Sequence, residues 1–399
     1  MLKISKRAQF IPASPMRKFI PYAERAKKKG IEIYHLNIGQ PDLEIPSQVY
    51  KSIRNFKEKI LPYGRSEGEI EFIKAWQKYF ENYGINFSED EIVITTGGSE
   101  AIIFAMITVC NPGEEIIVFE PFYANYNGFA ALADIKLKPV TCQRDNNFRL
   151  PEKSEIEKKI TKKTKAILIC NPNNPTGTVY TKKEIQRLID LALKHNLFIL
   201  SDEVYREFVY TDQKHQSIAY FPKIKKQAIL LDSLSKRFNV CGARVGCLAS
   251  KNKKIIEAAI KLSQARLSPP YLEEKILLSI LRKPKFYLKR LVNEYRKRRK
   301  VVVQALSRIP GAKFIEPQGA FYIIVELPIN DSEKFAKWLL EKYNYKGKTV
   351  MIAPATGFYA TPNLGKKEIR IAWILKKEDL AKALDILRRG IEDYTINEK

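Results

Sequence analysis

The chain has 399 residues, 45% of them hydrophobic, enough for a large core and two or three domains of ordinary size. Its 70 Lys and Arg against 44 Asp and Glu leave a net charge of +26. The basic runs 27–29 and 296–300 are short, however, and have Glu24 and Glu294 close by, which favours solvated helix faces over a nucleic-acid footprint. Five cysteines, odd in number and without a C-x-x-C pair, argue against a disulfide framework or a zinc site and suit a reducing cytoplasm; no metal is expected.

The N-terminal stretch Met1–Arg7 is basic but has no apolar run behind it, so no signal peptide is expected. Glu91–Thr95 predicts a strand, and Gly97-Gly98-Ser99-Glu100 then opens an apolar helix. That helix contains the longest apolar run, Ala101–Cys110, about half of the ~20 residues a membrane span requires. Further strands are predicted at Glu115–Phe119, Ala166–Cys170, Phe198–Asp202, Ala228–Asp232 and Val245–Ala249, with a helix over Lys182–His195. Continuous apolar strands separated by helices indicate an α/β fold with a mostly parallel sheet covered on both faces. A long charged helix follows Pro284, and the pattern then changes, with strands at Ala320–Glu326 and Glu368–Trp373. The expected division is a large domain over 46–290 and a smaller α+β domain built from 1–45 and 291–399.

Ser99, Asn174, Asp202 and Ser233 each lie just after an apolar strand. Ligands of open α/β sheets bind at the carboxyl ends of strands, so these polar residues mark the expected site. Ser233-Leu234-Ser235-Lys236, with Arg244 beyond it, places two hydroxyls and a guanidinium beside one lysine. This is a plausible phosphate cradle, although such a stretch alone could equally be a surface loop. Asn171-Pro172-Asn173-Asn174-Pro175-Thr176-Gly177 could by itself be a rigid turn, and Ser201-Asp202-Glu203-Val204-Tyr205 a helix cap.

In this order and at these separations, the three segments resemble the class I/II aminotransferases, the fold-type I enzymes that use pyridoxal 5′-phosphate, and the likeness covers nearly the entire chain. The resemblance implies roles. Lys236 would bind the cofactor and shuttle the substrate α-proton. Asp202 would pair with the pyridine nitrogen, while Asn174 and Tyr205 would contact the ring hydroxyl. Ser233, Ser235 and Arg244 would hold the phosphate, to which Gly98, Ser99 and Glu100 would offer backbone amides at the helix start. Tyr123 would stack on the ring, with core packing as its alternative. Gly39, in Asn37-Ile38-Gly39-Gln40-Pro41-Asp42, would approach substrate, and Arg370 would grip the substrate α-carboxylate beside Asn174. Tyr63 would reach the cofactor phosphate of a second subunit, making the protein a homodimer with shared sites.

The reaction so implied moves an amino group from an L-amino acid to a 2-oxo acid such as 2-oxoglutarate. Aspartate is the commonest donor label in the family. Some relatives favour acidic substrates with a lysine where this chain has Ser99, so Arg266 and Arg17 stand as candidates for a distal carboxylate, against ordinary surface positions for both. A C–S lyase on the same scaffold and a cofactor-sensing DNA-binding regulator are the alternatives. For the regulator, residues 1–45 are too short for a winged helix-turn-helix with a linker.

Overall fold

Apolar residues at successive positions of a strand need cover on both sides, and that requirement shapes the larger part of this molecule. The computed structural model describes residues 2–282 and 284–397. Thirteen strands form among them: β1 (Glu32–His35), β2 (Ile92–Thr95), β3 (Glu115–Glu120), β4 (Lys136–Thr141), β5 (Thr164–Cys170), β6 (Phe198–Asp202), β7 (Ala228–Ser233), β8 (Gly246–Ala249), β9 (Lys313–Phe314), β10 (Tyr322–Glu326), β11 (Lys348–Met351), β12 (Ala353–Pro354) and β13 (Glu368–Ala372).

Seven strands make one sheet in the order β2-β8-β7-β6-β5-β3-β4, all parallel except β8, which runs against both β2 and β7. The side chains alternate between two cores. Ile116, Val118, Leu168, Leu200 and Leu231 face one, and Ile117, Phe119, Ile167, Ile199 and Leu230 face the other. This two-sided burial explains why the sequence reads as unbroken apolar runs rather than as alternation.

One strand of this sheet, β4, was not expected. Its sequence, Lys-Leu-Lys-Pro-Val-Thr, carries two lysines and Pro139, features a central strand would not tolerate. It is the terminal strand, where a missing amide and charged side chains are acceptable.

The remaining strands form a four-stranded antiparallel sheet, β12-β13-β10-β9, and a parallel pair, β1·β11. That pair ties the N-terminal segment to the C-terminal part of the chain. The long helix Lys285–Leu306 runs through position 290, so the boundary expected there falls inside one continuous helix. No helix among the described residues is long and apolar enough to cross a membrane.

Because β2, β5, β6 and β7 point the same way, the segments after them emerge along one edge of the sheet. Those segments are the helix start at Gly97, the loop Asn171–Gly177, the turn after Asp202, and Ser233–Lys236.

Candidate active site

That edge opens into a cavity of about 980 Å³, whose lining draws on both the large sheet and the smaller one. Lys236, Asp202, Asn174, Tyr205, Tyr123, Ser233, Ser235, Arg244, Gly98, Ser99, Gly39 and Arg370 all line it. Twelve of the residues singled out by sequence therefore converge on one space.

Lys236 is partly exposed to the cavity. Its Nζ donates to the Gly39 carbonyl at 2.8 Å and lies 3.8 Å from Cys241 Sγ. Burial holds its ammonium below the ordinary lysine range. The Arg370 and Arg244 charges act in the same direction, while Cys241 opposes them. A lowered basicity frees the lone pair that a nucleophilic or proton-transferring amine requires. Gly39 must be glycine, since a Cβ there would sit 1.7 Å from the Tyr322 hydroxyl.

Asp202 ends β6 and is nearly fully buried. Its Oδ2 accepts from the Tyr126 hydroxyl at 2.8 Å and its Oδ1 from the Val204 amide at 3.3 Å. Among the described residues no lysine, arginine or histidine forms an ion pair with it. Burial pushes its carboxyl up to about 6, against the pull of those two donors. A buried carboxylate facing the cavity with no cation paired to it suits a ligand that brings one.

Arg370, on β13, is 2% exposed and also lacks a carboxylate partner among the described residues. Its Nη1 donates to Asn174 Oδ1 at 3.1 Å and its Nη2 to the Asn37 carbonyl at 2.5 Å and to Met16 Sδ at 3.3 Å. Its Nε has no acceptor. The guanidinium lies 4.4 Å from the centre of the Tyr322 ring and 4.9 Å from that of Phe358, which fix its plane. Asn174 Nδ2 reaches the Tyr205 hydroxyl at 3.5 Å, and Tyr205 shares a 3.0 Å hydrogen bond with Tyr322.

The opposite end of the cavity is shaped for an anion. The helix Gly97–Val109 presents its first amides there without a side-chain cap. Gly97 has φ +74°, and a Cβ on it would lie 2.6 Å from the Arg244 guanidinium, so glycine permits that approach. Ser233 and Ser235 hydroxyls are 2.9 Å apart beside it. Pyridoxal 5′-phosphate matches this donor set, with a phosphate for the cationic end, a ring nitrogen for Asp202, and an aldehyde for Lys236.

Three expectations need correction or qualification. Glu100 does not line the cavity; its carboxylate turns back to the Thr96 amide at 2.7 Å and to Arg266 at 3.3 Å. Arg266 is thereby neutralised and also lies outside the cavity, donating to the carbonyls of Ser66 and Ile94, whereas Arg17 does line it. Tyr63 is 81% exposed and takes no part in the cavity of its own chain.

Tyr126, Tyr322, Cys241 and Met16 were not foreseen, and Asn37 only as part of the segment around Gly39. Of the four, only Tyr126 carried a signal, lying one helical turn beyond Tyr123.

The aminotransferase class I and II family model matches residues 31–387. The chain is 32% identical over 399 residues to an aspartate aminotransferase of Pyrococcus horikoshii, covering 98% of this chain and 97% of that protein. Among solved structures, an aspartate aminotransferase from Thermotoga maritima superimposes with a TM-score of 0.88 at 30% identity, over 98% of this chain and 100% of the other. An alanine aminotransferase from Pyrococcus furiosus gives 0.89 at 28% identity, with the same coverage of both chains. The match across the chain, joined to a cavity whose donors fit the cofactor, makes this protein a member of the class I and II aminotransferases, enzymes that depend on pyridoxal 5′-phosphate.

Proposed function

We propose that the protein transfers the amino group of an L-amino acid to a 2-oxo acid, with 2-oxoglutarate as the acceptor, using the residues gathered in this cavity. The observation that carries the reading is the placement of the Lys236 amine, the Asp202 carboxylate and the Arg370 guanidinium around one space, the last two without an ionic partner. Pyridoxal 5′-phosphate supplies an electrophilic carbon and a ring that accepts electrons from the substrate.

The chain does the rest. Asp202 keeps the ring nitrogen cationic. Asn174 and Tyr205 hydrogen-bond the ring hydroxyl, and Tyr123 packs on the ring face. Arg244, Ser233, Ser235 and the amides of Gly98 and Ser99 hold the phosphate. Arg370 grips the substrate α-carboxylate with a planar fork and so orients the Cα–H bond. The neutral Lys236 amine takes that proton and passes it on as general acid.

The names of similar proteins include aspartate, alanine and aromatic-amino-acid aminotransferases, so they support amino transfer more firmly than any one donor. Exposed Ile60, Leu61 and Tyr63, neighbours in the chain, are apolar surface that a second copy of the chain would cover, which supports a homodimer. The reading takes 46–290 as the large unit and 1–45 with 291–399 as the small one, with the cavity between them. Five free cysteines go with a cytoplasmic setting.

Lys236→Ala tests the function. It should abolish the visible absorbance of the lysine-bound cofactor and nearly all turnover, and undiminished transamination in that variant would overturn the reading.

A further inference from the structure

Once each charged group of the cavity is matched to a part of the cofactor or of an amino acid's shared core, one arginine is left over. Arg244 faces the phosphate end, Asp202 the ring nitrogen, Lys236 the reacting carbon and Arg370 the α-carboxylate. Arg17 lines the same cavity and has no partner in that scheme.

Its position is informative. Arg17 begins a short turn, Arg17–Phe19, that leads into the helix Ile20–Lys28. The residue before it, Met16, accepts a hydrogen bond from Arg370 through its sulfur at 3.3 Å. Arg17 therefore stands one residue from the group that contacts the α-carboxylate clamp.

Two neighbouring cations of this segment are already engaged. Lys18 pairs with Glu333 at 2.7 Å and Arg25 with Glu341 at 3.2 Å, both on the neighbouring helix Ser332–Glu341. Arg17 forms no ion pair among the described residues. Glu24 and Lys27 also line the cavity and carry opposite charges. Arg266, the other arginine singled out by sequence, is held by Glu100 outside the cavity. The Ser99 side chain contributes no charge.

We infer that Arg17 is the specificity-determining residue that receives the distal carboxylate of a dicarboxylic amino acid or 2-oxo acid, so that the preferred substrates are of the glutamate, aspartate and 2-oxoglutarate class. The inference rests on the aminotransferase reading. Two arginines then hold the two ends of the substrate: Arg370 from β13 binds the carboxylate common to all amino acids, and Arg17 from the N-terminal segment binds the one that distinguishes acidic donors. An arginine is suited to this task because its planar fork matches a carboxylate and remains charged at every working pH.

The test is a single-turnover half-reaction of the cofactor-loaded enzyme with L-glutamate, L-aspartate, L-alanine and L-phenylalanine, followed by the visible absorbance of the bound cofactor. The ratio of kcat/KM for glutamate to that for alanine should fall roughly 10- to 100-fold in Arg17→Gln, the loss of a charge-assisted pair. Arg17→Lys should recover part of it. Lys18→Gln, which removes the neighbouring cation on the outer face, should keep the wild-type ratio. An Arg17→Gln enzyme whose rates fall equally for glutamate and alanine, or do not fall, overturns the role of Arg17 and leaves the aminotransferase reading standing. A wild-type enzyme that reacts with none of the four amino acids overturns both.

Discussion

The Tyr126 hydroxyl donates to Asp202 Oδ2 at 2.8 Å, and among the described residues this is the one side-chain hydrogen bond Asp202 receives in a setting that otherwise disfavours its charge. Burial raises the carboxyl from 3.8 to about 6, so the folded cofactor-free chain retains a proton there that the unfolded chain has lost. The contribution of Asp202 to the stability of that form is therefore greatest below about pH 4, declines as pH rises from 4 to 6, and stays lower above 6. Two pH units correspond to ~3 kcal/mol as an upper figure. Asp202→Asn should thus raise the melting temperature of the cofactor-free protein at pH 8 and change it little at pH 4. The same variant should lose roughly 10²- to 10³-fold in kcat, as expected when charge stabilisation in a closed site is removed. A variant equally stabilised at both pH values would show that Asp202 is not the strained group.

Gly39 and Tyr322 are in such close contact that Gly39→Ala must displace one of them. Because the Gly39 carbonyl also holds Lys236, the displacement should reach the amine and cost roughly 10²-fold in kcat. Tyr322→Phe removes the oxygen nearest the new methyl. The double variant should be faster than Gly39→Ala alone, and rapid-mixing kinetics would detect the gain.

Arg370→Lys retains the charge but loses the fork held between Asn174 and Asn37. The kcat/KM for every amino acid should drop roughly 10²-fold, while cofactor binding, titrated by absorbance, should persist. Loss confined to acidic donors would assign Arg370 to the wrong carboxylate.

Cys241 is the one partly exposed cysteine of the five, and its sulfur lies 3.8 Å from the Lys236 amine. Iodoacetamide should modify Cys241 first and inactivate the protein, bound cofactor should protect it, and Cys241→Ser should resist labelling. Peptide mass mapping that finds another cysteine alkylated at the inactivation rate would contradict this.

The motifs at the ends of β5, β6 and β7 were legible because each is a run of consecutive residues whose chemistry survives without the fold. Asn174, Asp202 and Lys236 belong to this group. The sheet was legible for a similar reason, since strands buried on both faces are apolar throughout. Tyr322 and Cys241 were not, because their importance depends on where β10 and the turn after Lys236 bring them in space. For Glu100 only the backbone was legible, at the helix start, while the pull of the Thr96 amide and Arg266 turns its side chain away from the cavity. β4 was missed because edge strands are permitted a composition that reads as loop.

Next to Lys236 lies Arg237, which is fully buried. It donates to both oxygens of Asp232, at 3.0 and 2.5 Å, and to Glu207 at 3.1 Å. Asp232 in turn pairs with Arg206 at 3.0 Å and accepts the Ser233 amide at 2.7 Å. The loop that presents the reactive amine is thus fastened on its hidden side by charges that cannot let go without being stranded in the core. The freedom of that loop is surrendered when the chain folds, not in each catalytic cycle. Every turnover then begins with the amine already aimed, and the entropic cost of aiming it has been met once, during folding.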